Sequence, residues 1–277
     1  MYRGFAMTSM DWSAQVGEGP TNYQEFLVPG MFTPFARRLI ADLKITRGSA
    51  VLDVACGTGV VTRLAARATG TAGTVTGVDI GSSMLAVARS QPAEPDSASI
   101  TYLEGSALEL PLVDRSVDYA TCHHGFQFFR DRVAAIRELH RVLTPGGRVA
   151  IACWTGLEQT SVFRAIRDSL DVHVSEEAGQ MMQSPFSVPA TELAGLLQTA
   201  SFDATRVECV EMMATFRAVP DFGAAVIAAG PVAAILKEAP VAARQALAAA
   251  VTEAVEQYTE GDTVSFPMYS NVATGTV

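Results

Sequence analysis

The chain has few positively charged residues and few cysteines, and both shortages narrow the possible functions. Among 277 residues, 20 lysines and arginines stand against 29 acidic residues, a formal net charge of -9. Such a surface repels phosphate backbones on average, so we do not expect a nucleic-acid substrate or partner. No C-x-x-C pair or other metal-ligand spacing occurs, so no metal site is predicted. The four cysteines are predicted to be reduced core residues: Cys56, Cys122, Cys153 and Cys209.

Long hydrophobic runs are also missing. The most apolar late stretch, residues 223–236, spans only 14 residues and is interrupted by Gly230 and Pro231. The first dozen residues contain no apolar core of a signal peptide. We therefore expect a cytoplasmic protein with no membrane insertion. A content of 49% hydrophobic and 18% charged residues predicts one well-packed domain over residues 1–277.

What the sequence does contain is a glycine-rich turn after an apolar run, VLDVACGTG at residues 51–59. Gly57 and Gly59 can adopt positive φ and let the backbone approach a ligand closely. The apolar spacing of residues 60–68 predicts a helix that packs on a sheet. This pattern indicates a nucleotide-binding βα unit. The third glycine of a dinucleotide fingerprint is replaced by Thr62, so a pyrophosphate site is incomplete.

A second apolar run strengthens this interpretation. Residues 74–79, TVTGVD, predict a strand that ends in Asp79, about 20 residues after Gly59. At that separation a carboxylate reaches a ribose diol across the crevice of a parallel sheet. The glycine-rich turn and the carboxylate together are far more specific for a nucleotide site than either of them alone.

With a third stretch, ELHRVLTPGGRVAIACW at residues 138–154, these motifs resemble the class I S-adenosylmethionine-dependent methyltransferases. The resemblance covers residues 33–154 and is nearest to the ubiquinone/menaquinone C-methyltransferase-like group. It implies S-adenosyl-L-methionine as the cofactor. It also implies an α/β fold with a Rossmann-like, doubly wound, seven-stranded sheet of order 3-2-1-4-5-7-6, whose last strand is antiparallel.

The same resemblance implies a set of cofactor-binding residues. Asp53, Ala55 and Gly57 would surround the methionine part, with His123 beside it, and Asp79 would bind the ribose. The remaining positions that match the cofactor site are Tyr23, Gly59, Ile80, Met84, Ser106 and Ala107.

Two of these positions depart from the family pattern. Ala55 stands where many relatives have glycine. Ser106 stands where relatives often have an aspartate for the adenine amino group, and a hydroxyl accepts that hydrogen bond more weakly than a carboxylate. Adenine recognition is therefore expected to rely more on backbone and apolar contacts.

The periodicity divides the domain into segments. They are an N-terminal cap segment and helix (1–46), a cofactor-binding core (47–155), a lid insertion (156–189) and the C-terminal half of the sheet (190–277), which contains a helical insertion (221–260). Thr33 is predicted to cap the first helix, with Pro34 at its first position, and Ser82 or Ser83 to cap a later one. The N-terminal segment is aromatic, with Trp12 and Tyr23. The resemblance implies that it covers the cofactor, and the alternative is that its rings only pack the tail down.

The end of the predicted fourth strand (117–123) and the loop after it supply the candidate catalytic groups, in CHHGFQFF at residues 122–129. Neighbouring residues on an extended chain point to opposite sides, so at most one of the two histidines is expected to face the methyl acceptor. The family resemblance places His123 beside the methionine part of the cofactor, which leaves His124 as the predicted general base. The alternative is that both imidazoles only hydrogen-bond the loop. The aromatic candidates for surrounding the reactive methyl group are Phe126, Phe128 and Tyr23.

The predicted function is methyl transfer to a small, largely apolar molecule, by C- or O-methylation of a quinol, a phenol or a natural-product-like acceptor. Positioning alone supplies much of the rate of such a displacement, so a catalytic triad is not required. Two alternatives stay open: a cofactor-retaining cyclisation or isomerisation, and a non-catalytic binding module. The alanine-rich segment within 221–260 suggests a homodimer.

Overall fold

The computed structural model describes residues 19–217, 222–229 and 233–277, which form one mixed sheet flanked by helices. The strands are β1 (Ala50–Val54), β2 (Thr74–Asp79), β3 (Ser99–Glu104), β4 (Val117–His123), β5 (Leu143–Trp154), β6 (Asp203–Arg217), β7 (Thr259–Glu260) and β8 (Thr263–Thr276). Their order is β3-β2-β1-β4-β5-β8-β6, with β7 paired to β8. β1 to β5 pair in parallel, and β8 is antiparallel to β5 and β6.

This arrangement confirms the predicted α/β fold, its strand order and the antiparallel last strand. The predicted count of seven strands omits β7, a two-residue strand that forms a hairpin with β8. Gly261 sits in the hairpin turn with a φ of 59°, which glycine adopts without strain.

Helices cover both faces of the sheet. They are α1 (Gly19–Asn22), a π-helix (Tyr23–Phe32), α2 (Thr33–Leu43), α3 (Val60–Thr69), α4 (Ser82–Ser90), α5 (Arg132–Val142), α6 (Ser161–His173), α7 (Glu176–Gln183), α8 (Ala190–Thr199), α9 (Phe222–Ala229), α10 (Ala233–Glu238) and α11 (Val241–Glu256). Apolar residues of α2 and α3 belong to one core cluster, and those of α5 and α8 belong to the other. The sheet is therefore buried on two sides, as its apolar strands require.

The first helix begins earlier than predicted. Residues 19–43 form one continuous helix, so Thr33 is inside it rather than at its N-cap. The Thr33 hydroxyl donates to the Val28 carbonyl oxygen at 2.8 Å. Pro29, which has no N–H to donate, lies in the π-helical part, whose wider turns accommodate an interruption of α-helical pairing.

Two further expectations about local structure are wrong. Helix α4 begins at Ser82 with Gly81 as its N-cap residue, so neither Ser82 nor Ser83 occupies the cap position. Cys56, Cys122 and Cys153 are buried as expected, but Cys209 is exposed because it points away from the core on β6.

Some predictions lie outside the described residues, namely those on Trp12, Asp221, Gly230 and Pro231. Within the described ranges, the longest apolar helices fall short of what a membrane span needs. The predictions of a cytoplasmic location, of a homodimer and of the segment boundaries stay predictions.

Candidate active site

A cavity of about 510 Å³ opens at the carboxyl ends of β1, β2, β4 and β5. This is the edge at which open parallel sheets bind ligands. The N-terminal helix, α6, α7 and α9 contribute residues to its other walls. Eleven of the twelve predicted site residues line it: Tyr23, Asp53, Ala55, Gly57, Asp79, Ile80, Met84, Ser106, Ala107, His123 and His124.

Asp53 is a buried carboxylate near the end of β1 and is held by two hydroxyl groups. Thr62 Oγ1 donates to its Oδ2 at 2.6 Å, and Thr121 Oγ1 donates to its Oδ1 at 2.8 Å. Burial raises the pKa of Asp53 to about 6, while the two hydroxyl donors favour the charged form. Thr62, which replaces the third fingerprint glycine, thus fixes the orientation of this carboxylate.

The turn after β1 has left-handed backbone at three residues. Ala55, Gly57 and Gly59 have φ angles of 54°, 55° and 83°. An alanine in this region costs about 1–2 kcal/mol more than a glycine, so Ala55 carries a backbone strain that Gly57 and Gly59 do not. A Cβ on Gly57 would meet no atom within 4 Å, whereas one on Gly59 would contact the Tyr102 hydroxyl.

Gly59 is the one of these twelve residues that does not line the cavity. It is the N-cap residue of α3, and its N–H donates to the Cys56 carbonyl oxygen at 2.9 Å. Its place in the structure is therefore the turn that leads from β1 into α3, while Gly57 lies on the cavity wall.

Asp79 connects the ends of β1 and β2. Its Oδ2 accepts a hydrogen bond from the Gly57 N–H at 2.7 Å, and its Oδ1 accepts one from the Gly81 N–H at 2.7 Å. Burial raises the pKa of Asp79, and these backbone donors lower it. Each carboxylate oxygen keeps a further lone pair for a ligand.

Four predicted residues line the part of the cavity next to Asp79. Ile80 is 53% exposed, an unusual exposure for an isoleucine, while Met84 is buried. Ser106 Oγ accepts from the Leu108 N–H at 3.1 Å, which leaves its own proton and one lone pair available. Ala107 is half-buried beside it.

Tyr23 reaches the cavity from the π-helix. Its ring contacts Phe32 with the centroids 5.0 Å apart. Burial, with a smaller contribution from the Asp79 charge, raises the pKa of the Tyr23 hydroxyl well above its usual value, so this group is a neutral phenol. The N-terminal helix thus brings a polar aromatic residue to the carboxylate side of the cavity.

The two histidines at the end of β4 lie in contact, contrary to the expectation that they point to opposite sides. His124 has a φ of 54°, so the chain is not extended there. Its Nδ1 is 3.1 Å from Nε2 of His123, and its Nε2 is 3.2 Å from Oγ of Ser270. Burial lowers the pKa of His123 to about 3, and burial with the neighbouring His123 lowers that of His124.

This geometry argues against His124 as the general base. Both of its ring nitrogens are engaged, and its ring is stacked on Trp154 with the centroids 3.6 Å apart. A group with a pKa far below neutrality also holds an abstracted proton poorly. Of the two imidazoles, His123 is the one with a nitrogen, Nδ1, to which no described residue is hydrogen-bonded.

The aromatic residues around the cavity differ in part from those predicted. Phe128 and Tyr23 line the cavity, but Phe126 is fully buried in the core cluster that contains α5 and α8. The main apolar lining comes from residues that sequence reasoning missed: Leu27, Met31, Phe32, Trp154, Phe163, Ile166, Met182 and Phe186. None of them was named as a site residue, but all except Trp154 lie in the segments predicted as the N-terminal cap (1–46) and the lid insertion (156–189). Trp154 ends the predicted fifth strand at the same edge.

Gln127 also lines the cavity and was not predicted. Gln127 is only 5% exposed, and neither atom of its side-chain amide has a hydrogen-bond partner among the described residues.

The other two histidines do not line the cavity. His140 packs edge-on against Phe202, and His173 is exposed at the end of α6.

Comparisons with known proteins agree with this geometry. A family model described as a methyltransferase domain matches residues 52–151. The demethylmenaquinone methyltransferase of Staphylococcus aureus is 33% identical over 183 residues, which cover 62% of this chain and 75% of that enzyme.

Two solved structures share the fold at low sequence identity. The YcgJ protein of Bacillus subtilis has a TM-score of 0.57 and 20% identity, over 88% of this chain and 98% of that one. Phosphoethanolamine N-methyltransferase 2 of Haemonchus contortus, solved in complex with S-adenosyl-L-methionine, has a TM-score of 0.60 and 18% identity, over 98% of this chain and 61% of that one. Given the curated relative, the matching domain and the site geometry, the chain belongs to the class I S-adenosylmethionine-dependent methyltransferases.

Proposed function

We propose that this enzyme methylates a small, largely apolar acceptor that carries a hydroxylated ring, such as a phenol, a quinol or a natural-product intermediate, by C- or O-methylation. The observation that carries the proposal is the wall next to His123, which consists mainly of rings and aliphatic side chains, including Phe32, Trp154 and Phe186. A flat apolar ring would bury its surface well there. The relative from Staphylococcus aureus is named for demethylmenaquinone, which favours a ring acceptor.

The opposite wall fits S-adenosylmethionine. Asp79 would accept hydrogen bonds from the ribose hydroxyls with its remaining lone pairs, and the open space at Gly57 lets a ligand lie against the backbone. Two carboxylates, Asp53 and Asp79, suit a ligand with a positive charge. When bound, the cofactor supplies a methyl group on a good leaving group.

The remaining predicted residues are proposed to complete this cofactor site. Ser106 and Ala107 would contact the adenine, with Ile80 and Met84 against its faces. Tyr23 would close the site from the N-terminal helix. Ala55 and His123 would border the methionine part.

The protein's own contribution is to hold two ligands in line and to keep water out. Buried rings around the reactive centre exclude water and favour a cationic group over their faces. The neutral, weakly basic His123 would hold a hydroxyl group by hydrogen bonding rather than remove its proton outright. Such positioning accounts for a large part of the rate of a methyl displacement.

A product screen tests the proposal. The purified enzyme is incubated with S-adenosylmethionine that carries a deuterated methyl group and with a panel of phenols, hydroquinones and polar amines, and the products are analysed by mass spectrometry. We expect the label in hydroxylated ring compounds. Label only in the polar amines would refute the proposed acceptor class, and a converted substrate without label would point to the cyclisation or isomerisation alternative.

A further inference from the structure

Four groups at the end of β4 form a hydrogen-bonded series that leads from the core into the cavity. Ser270 Oγ on β8 donates to the Cys153 carbonyl oxygen on β5 at 2.9 Å. His124 Nε2 is 3.2 Å from the same Oγ, and His124 Nδ1 is 3.1 Å from His123 Nε2. Ser270 and Cys153 are fully buried, so water does not compete for these contacts.

The serine determines the direction of the first step. A hydroxyl group has one proton, and a carbonyl oxygen can only accept, so the Ser270 proton belongs to the bond with Cys153. Ser270 Oγ must therefore accept from His124. This requires that His124 carries its proton on Nε2.

The second step follows from the neutrality of the imidazoles. His124 is 5% exposed and its ring lies against the ring of His123, so burial and the neighbouring imidazole disfavour a cation there. A neutral ring with a proton on Nε2 has a bare Nδ1, so His123 must donate to it from Nε2. The neutral His123 then has a bare Nδ1.

We propose that Ser270 is a positioning residue that acts through His124 and holds His123 in the tautomer whose bare Nδ1 receives a hydrogen bond from a hydroxyl group of the methyl acceptor. His123 lines the cavity beside the apolar wall, and its Nε2 is already used by His124. The hydroxyl donor rests on the proposed function, whereas the tautomer rests on the hydrogen-bonded series alone. The series thus gives a mostly apolar site one fixed polar contact.

The tautomers can be measured directly. In protein with ¹⁵N-labelled histidine, the two ring nitrogens of each tautomer have different nitrogen shifts, and the four histidines are assigned from single His→Gln variants. We expect both His123 and His124 to carry the proton on Nε2. A proton on Nδ1 of His123 in the unaltered protein would overturn the proposal, whatever the methyl acceptor is.

Variants then separate positioning from simple packing. Ser270→Ala should redistribute the tautomers of both histidines and lower kcat/KM by about 10–100-fold, the range for groups that fix a functional histidine, with cofactor affinity unchanged. Ser270→Thr keeps a hydroxyl and should restore both readouts. Ser265→Ala, on the same strand but bonded to Thr215, is the matched control and should change neither. Unchanged tautomers in Ser270→Ala would contradict the positioning role.

The nature of the bound hydroxyl is tested with two probes of one shape, naphthol and its methyl ether. We expect naphthol to shift the Nδ1 signal of His123 and the ether to leave it in place. If the tautomers are as inferred but both probes leave the signal unchanged, the positioning by Ser270 stands and the hydroxylated methyl acceptor is refuted. Equal shifts from both probes would contradict the hydrogen bond to Nδ1.

Discussion

The cavity has two walls of different construction. The carboxylate wall, Asp53, residues 55–58 and Asp79, comes from two strand ends. Hydrogen bonds hold its carboxylates, from the Gly57 N–H to Asp79 and from the Thr62 and Thr121 hydroxyls to Asp53. The aromatic wall, which includes Phe32, Trp154 and Phe186, comes from three distant segments that meet mainly through apolar contacts. Directional bonds fix the first wall closely, while packing allows the second to vary in shape.

This difference implies that the carboxylate wall recognises the cofactor, while the aromatic wall determines which methyl acceptor binds. Changes to the first should therefore affect cofactor affinity, and changes to the second should affect the methyl acceptor. The following substitutions test that division.

The largest effect is expected from the glycines of the turn. Gly59→Ala should lower the free energy of unfolding by about 2–5 kcal/mol, because left-handed alanine costs about 1–2 kcal/mol and displacing the Tyr102 hydroxyl about 1–3 kcal/mol more. Gly57→Ala should lower the free energy of unfolding only by the cost of left-handed alanine, about 1–2 kcal/mol. It should nevertheless weaken cofactor binding, because its Cβ would occupy open space in the cavity. Urea denaturation and calorimetry measure the two effects. Equal losses of stability would contradict the assignment of Gly59 to the turn.

Asp79→Ala should weaken cofactor binding by about 1.5–3 kcal/mol, roughly ten- to a hundredfold, through loss of a charge-assisted hydrogen bond. The turn should also loosen, because the Gly57 and Gly81 N–H groups lose their partner. Asp118→Ala is the matched control, since Asp118 accepts from the Ala50 N–H at the opposite end of the strands. Calorimetry that finds the same affinity in both variants would remove Asp79 from the cofactor site.

Gly30→Ala tests the aromatic wall. A Cβ there would meet the Thr215 carbonyl oxygen and the Phe216 ring, so the N-terminal helix must shift, at a cost of about 1–3 kcal/mol in unfolding free energy. Turnover of the methyl acceptor should fall while cofactor affinity stays. Gly195→Ala in α8, where nothing lies within 4 Å, should instead stabilise by about 0.5–1 kcal/mol. A large loss of cofactor affinity in Gly30→Ala would break the division between the walls.

Acid should destabilise the protein through His123, which lies where the walls meet. Its pKa is about 3 in the folded protein against an ordinary 6.5, so between these values the unfolded chain binds a proton that the folded protein does not. Stability therefore falls as pH drops below about 6.5. From about pH 7 to pH 5 the parent should lose about 2 kcal/mol more unfolding free energy than His123→Gln. Equal losses in the two proteins would contradict the burial of a neutral His123.

Ser106→Ala should have the smallest effect. Its Oγ already accepts from the Leu108 N–H, and one neutral hydrogen bond is worth about 0.5–1.5 kcal/mol in cofactor affinity. A loss well above this range, with the stability of the variant unchanged, would show that the hydroxyl does more than share in adenine recognition.

The carboxylate wall was largely predictable because its residues are close in sequence. The run at residues 51–59 and Asp79 each end a strand, and parallel strands present their carboxyl ends at one edge, so the motif alone brings them together. Most residues of the aromatic wall had no such signal. Phe32 and Phe186 are separated by more than half of the chain, and ordinary apolar residues do not indicate which cavity they line.

The pair of His123 and His124 shows most clearly how the sequence and the tertiary structure contribute to the site. The sequence indicated that His123 and His124 lie at the carboxyl end of the fourth strand, the ligand-binding edge, because the apolar strand pattern ends there. The tertiary structure decided the rest, since the positive φ of His124 turns its ring toward His123, and Ser270, 146 residues away along the chain, engages its other nitrogen. Hydrogen bonds between distant strands depend on register, and register is set by the packing of the whole sheet.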